Sequence, residues 1–212
     1  MKTRQSTWPT TLPETELLAN GKPLEKVNDF EYLGSWVDNP AKDIKIRNAQ
    51  AWSALRRLDN IWKSNLPRKL KINFFRATVE NILLYGAETW TITKILNNEL
   101  DGTYTCLLRY ALNIDWKHHI SNEELYVDLP KVFSVIRKRR LRLAGHCWRS
   151  NETAAMLLLW KPKHSHKDPG RPKLDYVTLL SRDTELNPSE LSAGMSNRDI
   201  WKSFVMGSGA PD

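Results

Sequence analysis

Cysteine is scarce in this sequence, and the residue patterns of the common active sites are missing. Only Cys106 and Cys147 occur, and neither belongs to a CxxC pair. That argues against a disulfide framework and against a zinc site built from four cysteines, and it fits a reducing compartment. No run of 18 apolar residues exists, so no transmembrane helix is expected. Residues 1–14 are polar, contain Pro9 and Pro13 and lack an apolar run, which does not fit a signal peptide. The expected setting is soluble and intracellular, with no membrane partner. A polymerase or nuclease needs clustered carboxylates to hold divalent metals, and no Asp-Asp pair is present. No P-loop, Gly-x-Ser-x-Gly or His-Glu-x-x-His pattern occurs. Enzymatic activity is therefore disfavoured. His118-His119 and His146-Cys147 are adjacent pairs, and neighbours on a helix point about 100° apart, so they rarely share a metal. His164 and His166 add no ligand spacing. No metal and no cofactor are expected.

Basic charge, by contrast, is abundant. The chain has 212 residues, nine tryptophans and a formal net charge of +8. An excess of this size suggests a polyanionic partner, and nucleic acid is the commonest. The charge falls in two blocks. Residues 41–90 carry 10 basic and 4 acidic side chains, and residues 131–173 carry 12 and 2. The three remaining segments are each net acidic. Such blocks read as binding surfaces or as solvated helix faces. The first block leaves both readings open, and the second favours binding.

The pattern along the chain is mainly helical. Residues 1–20 read as a poorly structured lead-in, closed by the turn signal Asn20-Gly21. Short apolar runs around Gly34 read as a small β-hairpin unit over 21–38. Asp38-Asn39-Pro40 can start a helix, with proline in its first turn. Ile44, Ala51, Leu55, Leu58 and Trp62 then recur as one helical face. Asn65-Leu66-Pro67 breaks the chain. A second helix is expected from Arg68 to Tyr85, with Leu70, Phe74, Ala77, Thr78 and Ile82 inward and Gly86 as its C-cap. A third spans Lys94 to Leu112, with Leu96, Leu100, Leu107 and Ala111 on one side. These make a helical unit over 39–116. Ser121 and Glu124 form a capping-box pattern. It opens a basic helical extension over 117–160 whose main helix runs from Lys131 to Ser150. A Pro-rich linker follows over 161–173, then a C-terminal helical unit over 174–206 interrupted near Asn187-Pro188.

Arg137-Lys138-Arg139-Arg140-Leu141-Arg142 is the sharpest local feature. Five cations in six residues spread around the helix rather than along one face, at about 100° per residue. Such a helix can meet phosphates on more than one side. Arg149 and Trp148 extend it, since an indole can stack on a base. The same run also reads as a solubilising face or a nuclear-localisation patch. Arg171, held between Gly170 and Pro172, could enter a minor groove, but a rigid linker is the better reading.

The order of several segments resembles non-LTR (LINE-like, RTE-like) retrotransposon reverse transcriptases, in the region after the catalytic palm. The segments are Phe30-Glu-Tyr-Leu-Gly-Ser-Trp-Val37, Ala51-Trp-Ser-Ala-Leu55 with Ile61-Trp62, and Leu83-Leu-Tyr-Gly-Ala-Glu-Thr-Trp-Thr91, which is the most specific. Ile120-Ser-Asn-Glu-Glu-Leu125, Arg139-Arg-Leu-Arg-Leu-Ala-Gly-His146, Pro169-Gly-Arg-Pro-Lys173 and Asn197-Arg-Asp-Ile-Trp201 follow in the same order. The resemblance covers about residues 20–205. It implies a primer-grip hairpin, a thumb-like helical bundle and a helical C-terminal extension. By position, Phe30, Tyr32, Leu33 and Gly34 match the primer grip. Lys45, Arg47, Arg56 and Arg57 match thumb-helix positions that could contact phosphate. The family's Ala-Asp-Asp motif and its endonuclease domain are absent. The resemblance thus implies a fragment that binds template–primer nucleic acid non-specifically, without polymerase chemistry of its own. Two other readings stand beside it: a helical interaction or structural remnant, and an accessory fragment that completes a reverse transcriptase palm in trans.

Overall fold

The computed structural model describes residues 18–19, 22–23, 31–36, 39–150, 152–160 and 174–207. Phe30 and Arg171 lie outside the described residues, as do the turn expected at Asn20-Gly21 and the linker expected over 161–173.

The described chain is mainly helical, with two small antiparallel pairs at its start. β1 (Leu18–Ala19) pairs with β2 (Lys22–Pro23), and β3 (Glu31–Tyr32) pairs with β4 (Ser35–Trp36). Leu33 and Gly34 turn the second pair, both at positive φ (49° and 79°). That is the conformation of a tight hairpin turn whose twist matches its strands. Glycine adopts it freely, whereas for leucine it costs roughly 1–2 kcal/mol.

Helix α1 (Pro40–Arg57) begins where the sequence places it. Asn39 caps it by accepting from the Lys42 amide at 3.1 Å, and Pro40 occupies the first turn, where its missing amide is no loss. Ile44, Ala51 and Leu55 are buried as the spacing predicts, and α2 (Asp59–Trp62) adds the buried Trp62. A continuous helical run then comprises α3 (Arg68–Phe75), a π-helical turn (Arg76–Glu80) and α4 (Asn81–Leu83).

This run does not bury the face expected from the sequence. Ile72, Phe75, Val79 and Leu83 point inward, while Leu70 and Phe74 are exposed. Both stripes are apolar and share the helical period, so periodicity alone does not choose between them. Two polar groups decide it by finding partners inside. The buried Lys71 ammonium donates to the Trp62 carbonyl at 2.6 Å, and the buried Glu80 carboxylate accepts from the Tyr104 hydroxyl at 2.7 Å.

Gly86 adopts the left-handed conformation and leads into a 3₁₀ turn at Ala87–Thr89. Helix α5 (Lys94–Ala111) is capped by Thr93, and α6 (Asn122–Leu125) opens with the capping box of Ser121 and Glu124. Helix α7 (Val132–Ser150) is followed by α8 (Glu152–Leu158), α9 (Tyr176–Thr184), α10 (Leu191–Ser196) and α11 (Arg198–Met206).

Two cores result, and α7 belongs to both. The first gathers α1 to α6 and takes Val132 and Ile136 from the start of α7. The second takes Leu141 and Ala144 from further along α7 and packs them against Val177, Leu180, Leu191, Met195, Trp201 and Val205. The division expected at residue 117 does not separate them, because Leu125 and Leu129 lie in the first core. Trp201 locks the second. Its indole donates to the Leu141 carbonyl at 2.7 Å, and it sits so close to Gly145 that a Cβ there would lie 2.4 Å from the ring. Among the described residues, no helix is long and apolar enough to cross a membrane, and no three His, Cys, Asp or Glu side chains gather as a metal site requires.

Candidate nucleic-acid interface

The arginine-rich run on α7 is mostly internal. Arg137 is buried, donating through Nε and Nη2 to the Asp183 carbonyl (3.1 and 2.6 Å) and through Nη1 to the Gly207 carbonyl. Arg140 is also buried. Its Nη1 meets the Asp183 carboxylate at 2.5 Å, and its Nη2 reaches the Trp90 carbonyl. Arg139 is half-buried and donates to the Leu84 carbonyl and to the Asn81 Oδ1. The sequence reading of one helix presenting five cations to phosphates is therefore corrected. A cation run looks the same in sequence whether it faces water or ties helix to helix. Here the buried partners supply carbonyls and a carboxylate, and arginine's five-donor fork can satisfy several at once.

Lys138 is half-buried and Arg142 exposed, so these two remain on the surface of α7. Arg149 is exposed but its Nη1 donates to the Met195 carbonyl at 2.7 Å. Trp148 packs on the second core and donates to Ser196 Oγ at 2.9 Å, so its indole serves the fold rather than an open stacking platform.

The first basic block has a different fate. Arg47, expected as a phosphate contact, is buried and holds the hairpin. It donates to the Gly34 carbonyl and to Gln50 Oε1, sits 3.6 Å from the Asp43 carboxylate, and lies 4.4 Å over the Tyr85 ring. Asp43, also buried, accepts from Ser35 Oγ at 2.7 Å and from the Trp90 indole at 2.9 Å. The Tyr85 hydroxyl donates to the Leu33 carbonyl at 3.0 Å, and the Lys42 ammonium sits 3.3 Å over the Trp36 ring. The β3–β4 turn is thus fixed to α1 and to Tyr85, just past α4, by contacts on both of its left-handed residues. The tip projects into solvent, with Tyr32 58% and Leu33 75% exposed.

The exposed residues of α1 are Lys45, Ala49, Gln50, Ser53, Arg56 and Arg57. They form one continuous face with three cations, short or neutral side chains between them, and no carboxylate. Lys45 and Arg56 are eleven residues apart, which places them on nearly the same stripe and about 16 Å apart along the axis. The Arg56 guanidinium lies 5.9 Å over the Trp52 ring. Arg57 stands at the edge of an open groove of about 690 Å³ between α1 and the run from the π-turn to α4. Thr78, Asn81, Ile82 and Tyr85 form the far wall. Tyr85 also anchors the hairpin, so the groove and the exposed tip share one residue.

The structure therefore exposes Tyr32, Leu33 and Gly34 at the hairpin tip, leaves Lys45, Arg56 and Arg57 exposed on α1, and removes Arg47, Arg137 and Arg140 from solvent. Sequence reasoning missed Asp43, Tyr85 and Asp183, the three residues that organise these arginines. Nothing in the charge pattern distinguishes a carboxylate that will be buried from one that will not. Comparison with protein-family models, with curated proteins and with solved structures finds no match for this chain.

Proposed function

We propose that this chain binds nucleic-acid backbone without sequence specificity, as the post-palm part of a reverse transcriptase of the non-LTR kind, and supplies no polymerase chemistry itself. The reading rests on one observation above the rest: the solvent face of α1 carries Lys45, Arg56 and Arg57 with no carboxylate among its exposed residues. Ala49 and Ser53 are short enough to let a phosphate backbone approach the helix. Phosphate contacts of this kind position a duplex without reading its bases. The resemblance puts a primer grip at Leu33 and Gly34, where the turn is exposed and both residues sit at positive φ. Strain held in place by surrounding contacts is a recurrent property of functional turns.

The test is the affinity of the chain for a short RNA–DNA hybrid over a salt series. Log affinity falls linearly with log salt, with a slope near −0.9 per phosphate neutralised. Absence of binding, or binding indifferent to salt, overturns the proposal.

A second reading keeps a place because of the apolar tip. Tyr32 and Leu33 offer a contact surface for a palm supplied in trans. Leu33→Asp weakens capture by such a palm while leaving hybrid binding by the α1 face intact. Equal loss of both activities, or of neither, counts against it.

A further inference from the structure

The basic face of α1 holds an aromatic ring among its cations. Trp52 is half-buried, and with Ala49, Ser53, Arg56 and Arg57 it lines an open hollow of about 570 Å³. None of these lining residues is acidic. The volume suits one nucleotide, since small-ligand sites run to roughly 300–1,000 Å³.

The ring is a fixed platform. Its buried part packs on the first core, and the Tyr110 ring meets it edge-on, with centroids 6.2 Å apart and planes at 84°. Tyr110 is held in turn. Its hydroxyl donates to the Asp59 carboxylate at 2.8 Å, and Asp59 pairs with Lys63 at 2.5 Å. A ring already ordered loses little freedom when a ligand stacks on it.

The polar groups around the ring are not spent on the fold. The indoles of Trp62, Trp90, Trp148 and Trp201 each donate to a protein acceptor. The Trp52 indole has no acceptor among the described residues, which sets it apart from Trp148. Arg47, Arg137, Arg139, Arg140 and Arg149 are engaged by protein acceptors. Arg56 and Arg57 have no hydrogen-bond or ion-pair partner among the described residues. Arg56 stands 5.9 Å over the Trp52 ring, near the outer limit of a cation–π contact, so it covers the ring loosely.

Cations alone can hold a duplex on this face. An indole among them adds little to that grip, because inside a duplex each base face is covered by its neighbours. An unpaired base has a free face and can stack on an aromatic side chain. We propose that the hollow takes one unpaired nucleotide, at a strand end or in a single-stranded flank. The base stacks on Trp52 beside the Arg56 guanidinium, and the adjoining phosphate accepts from Arg57. This rests on the nucleic-acid reading of α1 and narrows it: the preferred ligand is a duplex with a single-stranded extension, not a blunt one. Stacking tolerates any base, so no sequence preference follows.

The experiment is a fluorescence-anisotropy titration of the full chain with three RNA–DNA hybrids. One is blunt, one carries a short single-stranded extension with ordinary bases, and one carries the same extension made abasic. The abasic form keeps the phosphates and removes the bases, which separates stacking from charge. The ordinary extension binds about tenfold more tightly than the abasic one. In Trp52→Leu, which refills the half-buried site but cannot stack, the two extensions bind alike, and Trp52→Phe keeps most of the difference. The readout is a ratio within one variant, so a general loss of stability, which weakens both, does not imitate the effect. Equal affinity of the parent chain for the two extensions overturns the proposal, as does a ratio that survives Trp52→Leu. If the blunt hybrid still binds in either case, only the stacking site fails. If none of the three hybrids binds, the reading of α1 fails with it.

Discussion

Arg140 on α7 and Asp183 on α9 form a 2.5 Å ion pair in which each side chain is only 1% exposed. The same arginine donates to the Trp90 carbonyl, so a single side chain ties the first core to the second. Arg137, one turn earlier, ties the Asp183 carbonyl to Gly207 near the end of α11. What reads in sequence as a basic binding helix is the seam of the fold.

Removing one partner of a buried pair strands the other charge, at a cost of roughly 3–5 kcal/mol. Arg140→Met alone is therefore expected to destabilise strongly, and adding Asp183→Leu is expected to recover most of the loss. Urea denaturation of the two single variants and the double variant measures the coupling. Additive losses count against the seam.

Gly145 and Gly102 are both helical glycines and should respond in opposite directions. A Cβ at Gly145 meets the Trp201 ring at 2.4 Å, so Gly145→Ala forces the second core apart. Overpacking of this kind costs about 1–3 kcal/mol. Nothing lies within 4 Å of a Cβ at Gly102, so Gly102→Ala gains about 0.4–1 kcal/mol by stiffening the unfolded chain. Thermal melts of both variants check the pair. A Gly145→Ala protein as stable as the parent removes Trp201 from its assigned place.

Stability should fall at high pH. Burial raises the phenol of Tyr104 well above its ordinary value, and the Glu80 carboxylate beside it adds to the effect. Burial does the same to Tyr176. Once the chain unfolds, both regain an ordinary tyrosine pKa of about 10. Above that pH the unfolded state releases protons that the folded state keeps, so stability declines as pH rises. Denaturation at pH 8, 10 and 11 reads the decline, and phenolate absorbance should lag until the protein unfolds. Ionisation of all six tyrosines in the native protein contradicts this.

The hairpin clamp predicts an asymmetric result. Tyr85→Phe removes only the hydroxyl that reaches the Leu33 carbonyl and keeps the ring beneath Arg47. The expected loss is about 0.5–1.5 kcal/mol of local stability. Amide exchange should speed up within 31–36 while protection in α5 stays unchanged. A uniform increase across the chain is the contrary outcome.

Much of the fold was legible in sequence because its signals are local. Asn39-Pro40 and the Ser121–Glu124 box each name a helix start through a hydrogen bond spanning three residues. Ile44, Ala51, Leu55 and Trp62 announce their face because the opposite side of α1 is polar. The run from Arg68 to Leu83 defeated the same logic, since Leu70 and Phe74 compete with Ile72 and Phe75 and both spacings, four and three, suit a helix face. Only distant partners, Trp62 for Lys71 and Tyr104 for Glu80, settle which stripe goes inside. The burial of the α7 arginines was hidden for a related reason. Charge density predicts attraction to polyanions, but Asp183 lies more than forty residues from Arg137 and Arg140 in sequence, and no local pattern links them.

That burial changes the decisive experiment. Replacing all five basic residues between Arg137 and Arg142 would break the seam and confuse unfolding with lost binding. The informative comparison is hybrid affinity and its salt slope for Lys45→Ala/Arg56→Ala/Arg57→Ala against Lys138→Ala/Arg142→Ala, both built on exposed or half-buried positions. The α1 variant should lose about tenfold or more in affinity, with its salt slope reduced by about one for each phosphate contact removed. The α7 variant should bind like the parent. If the α7 variant loses binding while the α1 variant keeps it, the nucleic-acid surface does not lie on α1.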